Sequence, residues 1–341
     1  MILEQDTKLD YSDVLLRPKR STLESRKQVA LFRTFKFPHT ELRLDTIPII
    51  AANMDGVGTF EMAVALDKQG MMTALNKTYS VEALTDFPDQ ALCSNEGVAL
   101  TVGMQDEDFE KIKLLHREYP IICIDTPNGY MEKFVQFVRK VRDFCKNKNI
   151  IIAGNVVTAD QTQELILNGA DVVKVGIGPG SVCTTRIVTG VGYPQLSAVV
   201  ECGDAAHGLG GHIVADGGCT SPGDVVKAFA AGADFVMLGG MLAGHDEGGG
   251  TVSEDGKVHF YGMSSTVAND KHAGGLKDYR ASEGRSVSIP YRGRVKDTIQ
   301  EILGGVRSAC TYVGARKLKD LPKCATFVKV NNQFNRVFVG A

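Results

Sequence analysis

Eight short apolar runs, separated by stretches with helical spacing, constrain the fold of this chain more than any other feature of its sequence. The run around Ile150, Ile151 and Ile152 is continuously apolar rather than alternating, which is typical of a strand buried on both faces of a parallel sheet. Strands that alternate with helices in this way predict an α/β fold. The eight runs cover residues 47–53, 71–76, 97–103, 120–125, 149–155, 171–176, 212–216 and 233–238.

Closing eight strand–helix units into a TIM barrel satisfies this pattern without leaving edge strands. A doubly wound sheet is the alternative for fewer or differently spaced units. We predict the barrel, as a single catalytic domain over residues 1–341. The helical segments between the runs include residues 59–68, 106–118, 130–145, 159–167 and 222–231.

Three additions interrupt the repeating units: an N-terminal segment of about 45 residues, an insertion at 245–290 and a tail after Arg316. The insertion contains a candidate strand at 258–261 and the glycine pair at 274–275, and a last helix is expected near 297–308. A long loop above the carboxyl ends of the barrel strands can cover a ligand. We favour a mobile lid for 245–290 over a surface decoration or an oligomer contact.

Composition narrows the class of protein. The 38 basic and 40 acidic residues give a net charge of −2, which provides no electrostatic case for nucleic-acid or membrane binding. The N-terminus lacks a signal peptide and no run reaches membrane-spanning length, so cytoplasmic residence is expected.

The eight cysteines form no zinc knuckle and are expected to stay reduced. Most of them, Cys123 in particular, are expected to be packing residues.

One glycine-rich segment presents a single cysteine in polar surroundings. Residues 176–187 read GIGPGSVCTTRI and follow directly on the sixth apolar run. Glycines allow backbone conformations that other residues avoid, and they let a ligand or an ion approach the main chain. The hydroxyls of Thr184 and Thr185 and the charge of Arg186 come directly after Cys183, where they can assist proton transfer and favour the thiolate. We therefore interpret Cys183 as a nucleophile.

Two more glycine turns follow the seventh and eighth runs. One is Asp216-Gly217-Gly218 and the other is Gly239-Gly240. In a barrel the residues after each strand meet at one face, where the last two turns often bind phosphate through main-chain amides. Tight turns alone would also explain these glycines, but their place beside the cysteine loop favours a phosphate site. Asp216 is then suited to hold ribose hydroxyls.

Several common motifs are absent from the sequence. There is no GxxxxGK[ST] phosphate loop, and the segment at 176–181 lacks the final glycine of the dinucleotide fingerprint. Neither HExxH nor GxSxG occurs. His207 and His212 are separated by a loop, so metal binding by this pair is not expected. Rossmann and kinase functions therefore have little support.

At this point the chain resembles a known family, the IMP dehydrogenases and GMP reductases. GPGSVCTTR at 178–186 matches the catalytic loop of that family, and the turns at 216–218 and 239–240 match its nucleotide-phosphate region. The similarity runs from LDYSDVLLRP at 9–18 to near the C-terminus. Four segments are similar to the reductase branch: ANMD at 52–55, VGYPQ at 191–195, FYGMSS at 260–265 and YRASEG at 279–284. The dehydrogenases usually insert two CBS modules, for which this chain has no room.

The resemblance implies NADPH-dependent reductive deamination of GMP to IMP and ammonia. It implies that Cys183 attacks C2 of GMP to form a thioimidate, which then receives a hydride, and that Thr185 and Glu283 transfer the proton that ammonia needs to depart. A solvated lid charge is the alternative role for Glu283. The residues that the resemblance places around GMP are Asp216, Gly217, Gly218, Gly239, Gly240, Gly262, Met263, Ser264, Arg280, Ala281, Ser282, Glu283 and Gly284.

The resemblance also implies a cofactor site, a cation site and an assembly. A monovalent cation such as potassium would bind the carbonyl groups of Gly178, Gly180 and Cys183. The assembly would be a homotetramer with cofactor contacts shared between subunits. The residues implied for the cofactor are Ser25, Arg26, Lys77, Asp125, Met263, Tyr279, Arg280, Ser308, Ala309, Cys310 and Thr311.

Two other functions stay open. An IMP dehydrogenase would use the same Cys183 but would transfer hydride to NAD and hydrolyse the adduct, yielding XMP. A regulatory barrel would bind the nucleotide without turnover. The reductase-like segments and the missing CBS modules argue against the first, and the set of Cys183, Thr185 and Glu283 argues against the second.

Overall fold

All eight predicted apolar runs form strands, and six further strands flank them. A computed structural model describes residues 3–90, 95–331 and 333 of the chain. In chain order its strands are β1 (Val14–Leu16), β2 (Arg33–Lys36), β3 (Arg43–Thr46), β4 (Ile49–Ala51), β5 (Met72–Ala74), β6 (Val98–Val102), β7 (Ile121–Asp125), β8 (Ile150–Val156), β9 (Val172–Val175), β10 (His212–Asp216), β11 (Phe235–Leu238), β12 (Lys257–Tyr261), β13 (Ser286–Pro290) and β14 (Phe327–Lys329).

Strands β4 to β11 close into a parallel barrel in the order of the sequence. The last strand returns to the first, with Val236 of β11 beside Ile49 of β4, so the sheet has no edge. The predicted TIM barrel is therefore confirmed, and the doubly wound alternative is not formed. Every residue of β6 and of β8 is buried, as the continuous apolar run around Ile150 predicts.

Helices follow the barrel strands and cover their outer face. The five predicted helical segments are helices whose ends differ from the prediction by at most three residues, and the last predicted helix extends further in both directions. Two outer helices, α2 (Val81–Gln90) and α7 (Gln195–Gly208), lie outside the predicted segments. In chain order the helices are α1 (Phe60–Asp67), α2 (Val81–Gln90), α3 (Asp106–Leu115), α4 (Glu132–Cys145), α5 (Ala159–Leu167), α6 (Thr185–Thr189), α7 (Gln195–Gly208), α8 (Pro222–Ala230), α9 (Thr266–His272), α10 (Val295–Val313) and α11 (Leu321–Cys324).

The N-terminal segment covers the amino ends of the barrel strands. Its hairpin of β2 and β3 carries Phe35, whose ring stacks on Phe235 at the start of β11 with 4.3 Å between centroids. Phe37 packs edge-on against His212 at the start of β10. β1 pairs with β14 of the C-terminal tail, so the two ends of the described chain meet. The carboxyl ends of the strands are left for a binding site.

The insertion after β11 forms an antiparallel pair, β12 and β13, with the short helix α9 between them. The strand predicted at 258–261 is confirmed within β12. We call residues 257–290, the part of the 245–290 insertion that holds these elements, the lid.

The cysteines other than Cys183 behave mainly as packing residues. Cys123 in β7 is fully buried, and burial raises the pKa of its thiol to about 12, so the group is neutral. The seven described cysteines form no disulfide with one another. Cys93 and the last residues of the predicted tail lie outside the described residues. None of the helices in the described ranges is both long enough and apolar enough to span a bilayer.

An ionic cluster lies at the amino end of the barrel. Asp234, which precedes β11, accepts a hydrogen bond from His207 Nε2 at 2.7 Å and pairs with Arg33 at 3.0 Å. His212 Nδ1 lies 3.3 Å from the same carboxylate. The hydrogen bond to Asp234 raises the pKa of His207. Burial alone would raise the pKa of Asp234, but its hydrogen bonds with His207 and His212 hold it well below the ordinary value.

We expect replacement of His207 to cost stability only on the acid side of neutrality. A histidine whose pKa is raised by folding stabilises the folded state fully below its unfolded pKa, and this contribution is lost as the pH rises through the folded pKa. Because the His207 side chain is 45% exposed, its pair with Asp234 is expected to contribute at most about 1 kcal/mol. Urea unfolding of wild type and His207→Gln at equal protein concentration should show this difference at about pH 6, and little of it above about pH 8. An equal difference at both pH values would contradict the prediction.

Candidate active site

A cavity of about 270 Å³ opens at the carboxyl ends of the barrel strands. Its wall is formed by residues at or just after the carboxyl ends of β4, β5, β7, β8, β9, β10 and β11, together with part of the lid. Parallel strands bring these distant segments to one place because all of their carboxyl ends point the same way. The cavity is where the sequence places the candidate chemistry.

Cys183 lies in this wall, in a turn between β9 and α6. Its Sγ is 3.2 Å from Oγ1 of Thr185, the first residue of α6. Thr185 Oγ1 in turn donates a hydrogen bond of 2.8 Å to Glu283 Oε2. A sulfur atom, a hydroxyl group and a carboxylate therefore lie in one continuous hydrogen-bonded line. Such a line can deliver or remove a proton beside a nucleophile.

Main-chain hydrogen bonds hold the lid against the cysteine turn. The Thr184 amide donates to the Glu283 carbonyl at 2.9 Å, and the Arg285 amide donates to the Val182 carbonyl at 2.9 Å. Gly284 lies between these bonds, where a Cβ atom would be 2.8 Å from the Ser265 nitrogen. Glycine thus allows residue 284 to lie close against the lid segment 262–265, which comes about twenty residues earlier in the chain. The position of Glu283 is fixed by its backbone.

Arg186 plays a different part from the one expected. Its guanidinium group pairs with Asp10 of the N-terminal segment at 3.0 Å and donates to the Tyr193 carbonyl. Its aliphatic stem packs beside Gly178, where a Cβ atom would be 2.5 Å from Cγ of Arg186. Because Asp10 pairs with its charge, Arg186 anchors the cysteine turn to the rest of the fold rather than acting as a free positive charge beside the sulfur.

The glycine turns after β10 and β11 border the same cavity. Gly217 and Gly218 both have positive φ angles, +89° and +84°, which glycine adopts readily. Gly240 approaches Ser181 so closely that a Cβ atom would be 2.8 Å from its Oγ. Arg292 donates to the Gly240 carbonyl at 3.0 Å, which fixes this turn from outside. Amides and a hydroxyl group that converge in this way suit a phosphate group.

A buried lysine lies at the base of the cavity. Lys174, in β9, is 5% exposed and its Nζ is 2.8 Å from both Asp125 Oδ1 and Asp216 Oδ2. Asn155 accepts from the same Nζ at 3.1 Å and donates its amide to Asp216 Oδ2 at 2.8 Å. These contacts engage Oδ2 of Asp216 and hold the carboxylate at the cavity wall. The other oxygen atom is suited to accept hydrogen bonds from a ligand.

This network keeps Lys174 and Asp125 charged. Burial alone would lower the pKa of Lys174, but the charges of Asp125 and Asp216 raise it well above its ordinary value. Burial would raise the pKa of Asp125, but the charges of Lys174 and of Lys77, 3.8 Å away, hold it below its ordinary value. The base of the cavity therefore presents two fixed carboxylates on one buried ammonium group.

Most of the predicted site residues lie in the wall of this one cavity. Four lid residues, Tyr279 to Ser282, do not line it, and Tyr279 is 83% exposed. Arg280 and Ala281 are exposed, whereas Ser282 is partly buried beside Glu283. The predicted residues that do line the cavity are Lys77, Asp125, Gly178, Gly180, Cys183, Thr185, Asp216, Gly217, Gly218, Gly239, Gly240, Gly262, Met263, Ser264, Glu283 and Gly284.

The other predicted cofactor residues lie elsewhere in the chain. Ser25 caps the short turn at 26–28 that begins with Arg26, and this turn packs against α10, which carries residues 308–311. Cys310 is fully buried, so its side chain faces the core. These two predicted segments thus neighbour each other outside the cavity. Within one chain they do not complete the site.

Sequence reasoning did not assign several residues of the cavity wall. They include Asn53, Met54, Thr126, Asn155, Lys174 and Ser181. Lys174 had a visible signal, because a lone lysine inside the apolar run at 171–176 must find partners when the strand is buried. Asn155 carried a similar signal, because it is a polar residue at the end of the fifth apolar run.

Comparison with known proteins agrees with this geometry. The family model described as "IMP dehydrogenase / GMP reductase domain" matches residues 8–336. Proteins named GMP reductase from Aeromonas salmonicida (strain A449), Vibrio atlanticus (strain LGP32) and Klebsiella pneumoniae subsp. pneumoniae are 57%, 59% and 58% identical to it, and each match covers 99% of both chains. On these matches, the chain belongs to the IMP dehydrogenase / GMP reductase family.

Proposed function

We propose that the protein reduces GMP to IMP with release of ammonia, using NADPH and a covalent intermediate on Cys183. The observation that carries the proposal is the line from Cys183 Sγ through Thr185 to Glu283 inside the cavity. The names of the relatives support the same reaction, since they are called GMP reductase over nearly the whole chain.

In the first step the sulfur of Cys183 forms a bond to C2 of GMP. The C2–N bond to the exocyclic amine then breaks, and the amine leaves as ammonia with the proton that it needs. Thr185 is placed to pass that proton, because its hydroxyl group contacts both the sulfur and the Glu283 carboxylate. The product of this step is a purine joined to Cys183 as a thioimidate.

In the second step a hydride adds to C2, the C2–S bond breaks and Cys183 is released. NADPH, when bound, supplies that hydride. The overall balance is GMP, NADPH and one proton giving IMP, NADP⁺ and ammonia. Lys77, Asp125 and Met263 line the cavity and fit the cofactor, since a lysine and a carboxylate offer partners for its polar groups. Tyr279 and Arg280 of the lid would also lie along the cofactor. Ser25, Arg26 and residues 308–311 would complete a cofactor site shared between subunits of a homotetramer.

The nucleotide is expected to bind with its phosphate on the glycine turns and its ribose on Asp216. The turns at 217–218 and 239–240 and the Ser181 hydroxyl group offer donors to the phosphate. Asp216 is held by Lys174 and Asn155, so it meets the ribose hydroxyls without having to move. This anchoring would bring C2 of the base towards Cys183.

The cysteine turn also fits a potassium-like cation. The proposed ligands are the carbonyl groups of Gly178, Gly180 and Cys183, and carbonyl oxygens are ligands that hard cations accept. The Gly180 carbonyl already accepts the Cys183 amide at 3.0 Å, but a carbonyl oxygen has two lone pairs. A cation there would stiffen the turn that presents the sulfur.

We expect the protein to oxidise NADPH only when GMP is present, and Cys183→Ala to abolish this turnover. Removing the sulfur removes the covalent route, so the rate should fall at least about a thousandfold while GMP still binds. The loss of absorbance at 340 nm measures NADPH, chromatography measures IMP and ammonia, and calorimetry measures GMP binding.

Different outcomes would support the other two functions. Formation of XMP from IMP and NAD, without NADPH oxidation by GMP, would make the protein a dehydrogenase. Binding of GMP without either reaction by folded protein would make it a regulatory barrel.

We expect Thr185→Val and Glu283→Gln each to lower kcat by about 10²- to 10⁴-fold, because each change interrupts proton transfer in the same line. The KM for GMP should change much less, since phosphate and ribose are bound elsewhere. Thr251→Val, at an exposed threonine outside the cavity wall, is the matched control and should leave kcat unchanged. A fall in kcat no larger than that of Thr251→Val would remove Thr185 from the mechanism.

We expect Lys174→Met to destabilise the fold by about 3 kcal/mol, because it removes the buried cation that the partly exposed carboxylates of Asp125 and Asp216 share. Adding Asp216→Asn to this variant removes one of the charges and should restore part of the free energy of unfolding but not the affinity for GMP. Urea unfolding and calorimetric GMP binding measure the two effects. Equal free energies of unfolding for wild type and Lys174→Met would show that the network does not stabilise the fold.

A further inference from the structure

One buried carboxylate joins the lid to the barrel at a point away from the cysteine. Asp55 follows β4, and its side chain is only 8% exposed. Three lid residues meet it: Tyr261 donates from its hydroxyl group at 2.6 Å, His272 contacts it through Nε2 at 2.7 Å, and Lys271 pairs with it at 3.1 Å. Tyr261 ends β12 and the other two end α9. We propose that Asp55 is a positioning residue that fastens the lid and thereby keeps Glu283 in place.

The barrel holds its side of this contact through residues that do not belong to the lid. Asn76, shortly after β5, donates its amide group to Asp55 Oδ1. The other end of the Asn76 side chain accepts from the Thr78 amide at 3.0 Å, which orients it towards Asp55. The remaining carboxylate oxygen, Oδ2, is the one that receives all three lid groups. The two oxygens therefore divide between the barrel and the lid.

Charge makes this contact stronger than a neutral hydrogen bond would be. Burial alone would raise the pKa of Asp55, but the hydrogen bonds from Tyr261, His272 and Lys271 hold it below its ordinary value. The group is therefore a carboxylate at neutral pH, and hydrogen bonds to an ionised acceptor are among the strongest in proteins. A neutral residue of the same shape would form weaker hydrogen bonds with the three lid groups.

The lid backbone connects Asp55 to the segment that carries Glu283, the proposed proton-transfer residue. The Asp55 amide lies 3.4 Å from Met263 Sδ, and Met263 is part of the cavity wall. Ser265 caps α9 and forms a backbone bridge with Gly284, the neighbour of Glu283. Asp55 thus holds one end of α9 while the start of that helix touches the segment that carries the proposed proton-transfer carboxylate.

Asp55→Asn tests the proposal because it keeps the shape and removes the charge. This inference rests on the proposed GMP reduction, so one measurement must not depend on turnover. Trypsin should cut the unliganded variant in the lid, after Lys271, Lys277 or Arg280, about tenfold faster than wild type, because the lid opens more often. Where GMP is reduced, kcat should fall about tenfold or more with little change in the KM for GMP, because the phosphate and ribose anchors are untouched.

Asp270→Asn is the matched control, since Asp270 is an exposed carboxylate on the same helix. It should change neither the cutting rate nor kcat. Tyr261→Phe with His272→Gln removes two lid partners of Asp55 without altering the barrel or any trypsin site, and it should reproduce both effects even if Asp55→Asn fails to fold.

The outcomes separate this proposal from the proposed function. Unchanged cutting of the lid in Asp55→Asn and in the lid variant would overturn the role of Asp55, whatever the enzyme does. Faster cutting with an unchanged kcat would show that Asp55 fastens the lid but does not position Glu283. Faster cutting in a protein that never oxidises NADPH with GMP would support the fastening and contradict the proposed function.

Discussion

The site depends first on the convergence of strand ends in a closed parallel barrel. Cys183 follows β9, Asp216 ends β10 and Gly239 follows β11. Only the common direction of these three strands brings the residues to one cavity. Closure also removes the edges that a parallel sheet would otherwise expose. The lid then adds Glu283 from a point a hundred residues further along the chain, held by two main-chain hydrogen bonds to the cysteine turn.

Lys174 adds an electrostatic constraint to this geometric one. A buried ammonium group is costly unless it is paired, and here the pairing groups are the two carboxylates that face the proposed cofactor and ribose. The same contacts therefore stabilise the fold and prepare both halves of the cavity. The cofactor half and the ribose half of the cavity are therefore coupled. A shift of either carboxylate also affects Lys174, which is the partner of the other carboxylate.

Much of this arrangement could be predicted from local sequence, because apolar runs and glycine turns act locally. The continuous run around Ile150 identified a doubly buried strand, and the glycines near Cys183 identified its turn. Helix α7 was missed because its buried face is built mainly from small residues such as Ala198, Cys202 and Ala206, which give weak apolar contrast.

Contacts between distant side chains could not be predicted in the same way. The pairing of Arg186 with Asp10 is one example, since neither residue carries a local sign of the other. The four partners of Asp55 are another, because they come together only when the lid folds over the barrel. Each residue alone has the sequence signature of a solvated polar group.

The fastening of the lid bears on which reaction a cysteine-linked purine undergoes. Water that reaches a thioimidate hydrolyses it, whereas a hydride donor reduces it, so the product depends on access to C2. The lid is held at two places, by the main chain beside Cys183 and by side chains at Asp55. A lid fastened twice limits the entry of water while the intermediate exists. On the proposed mechanism, the contacts that keep Glu283 near Thr185 therefore also favour reduction over hydrolysis, and a lid that opened freely would favour hydrolysis of the adduct to XMP.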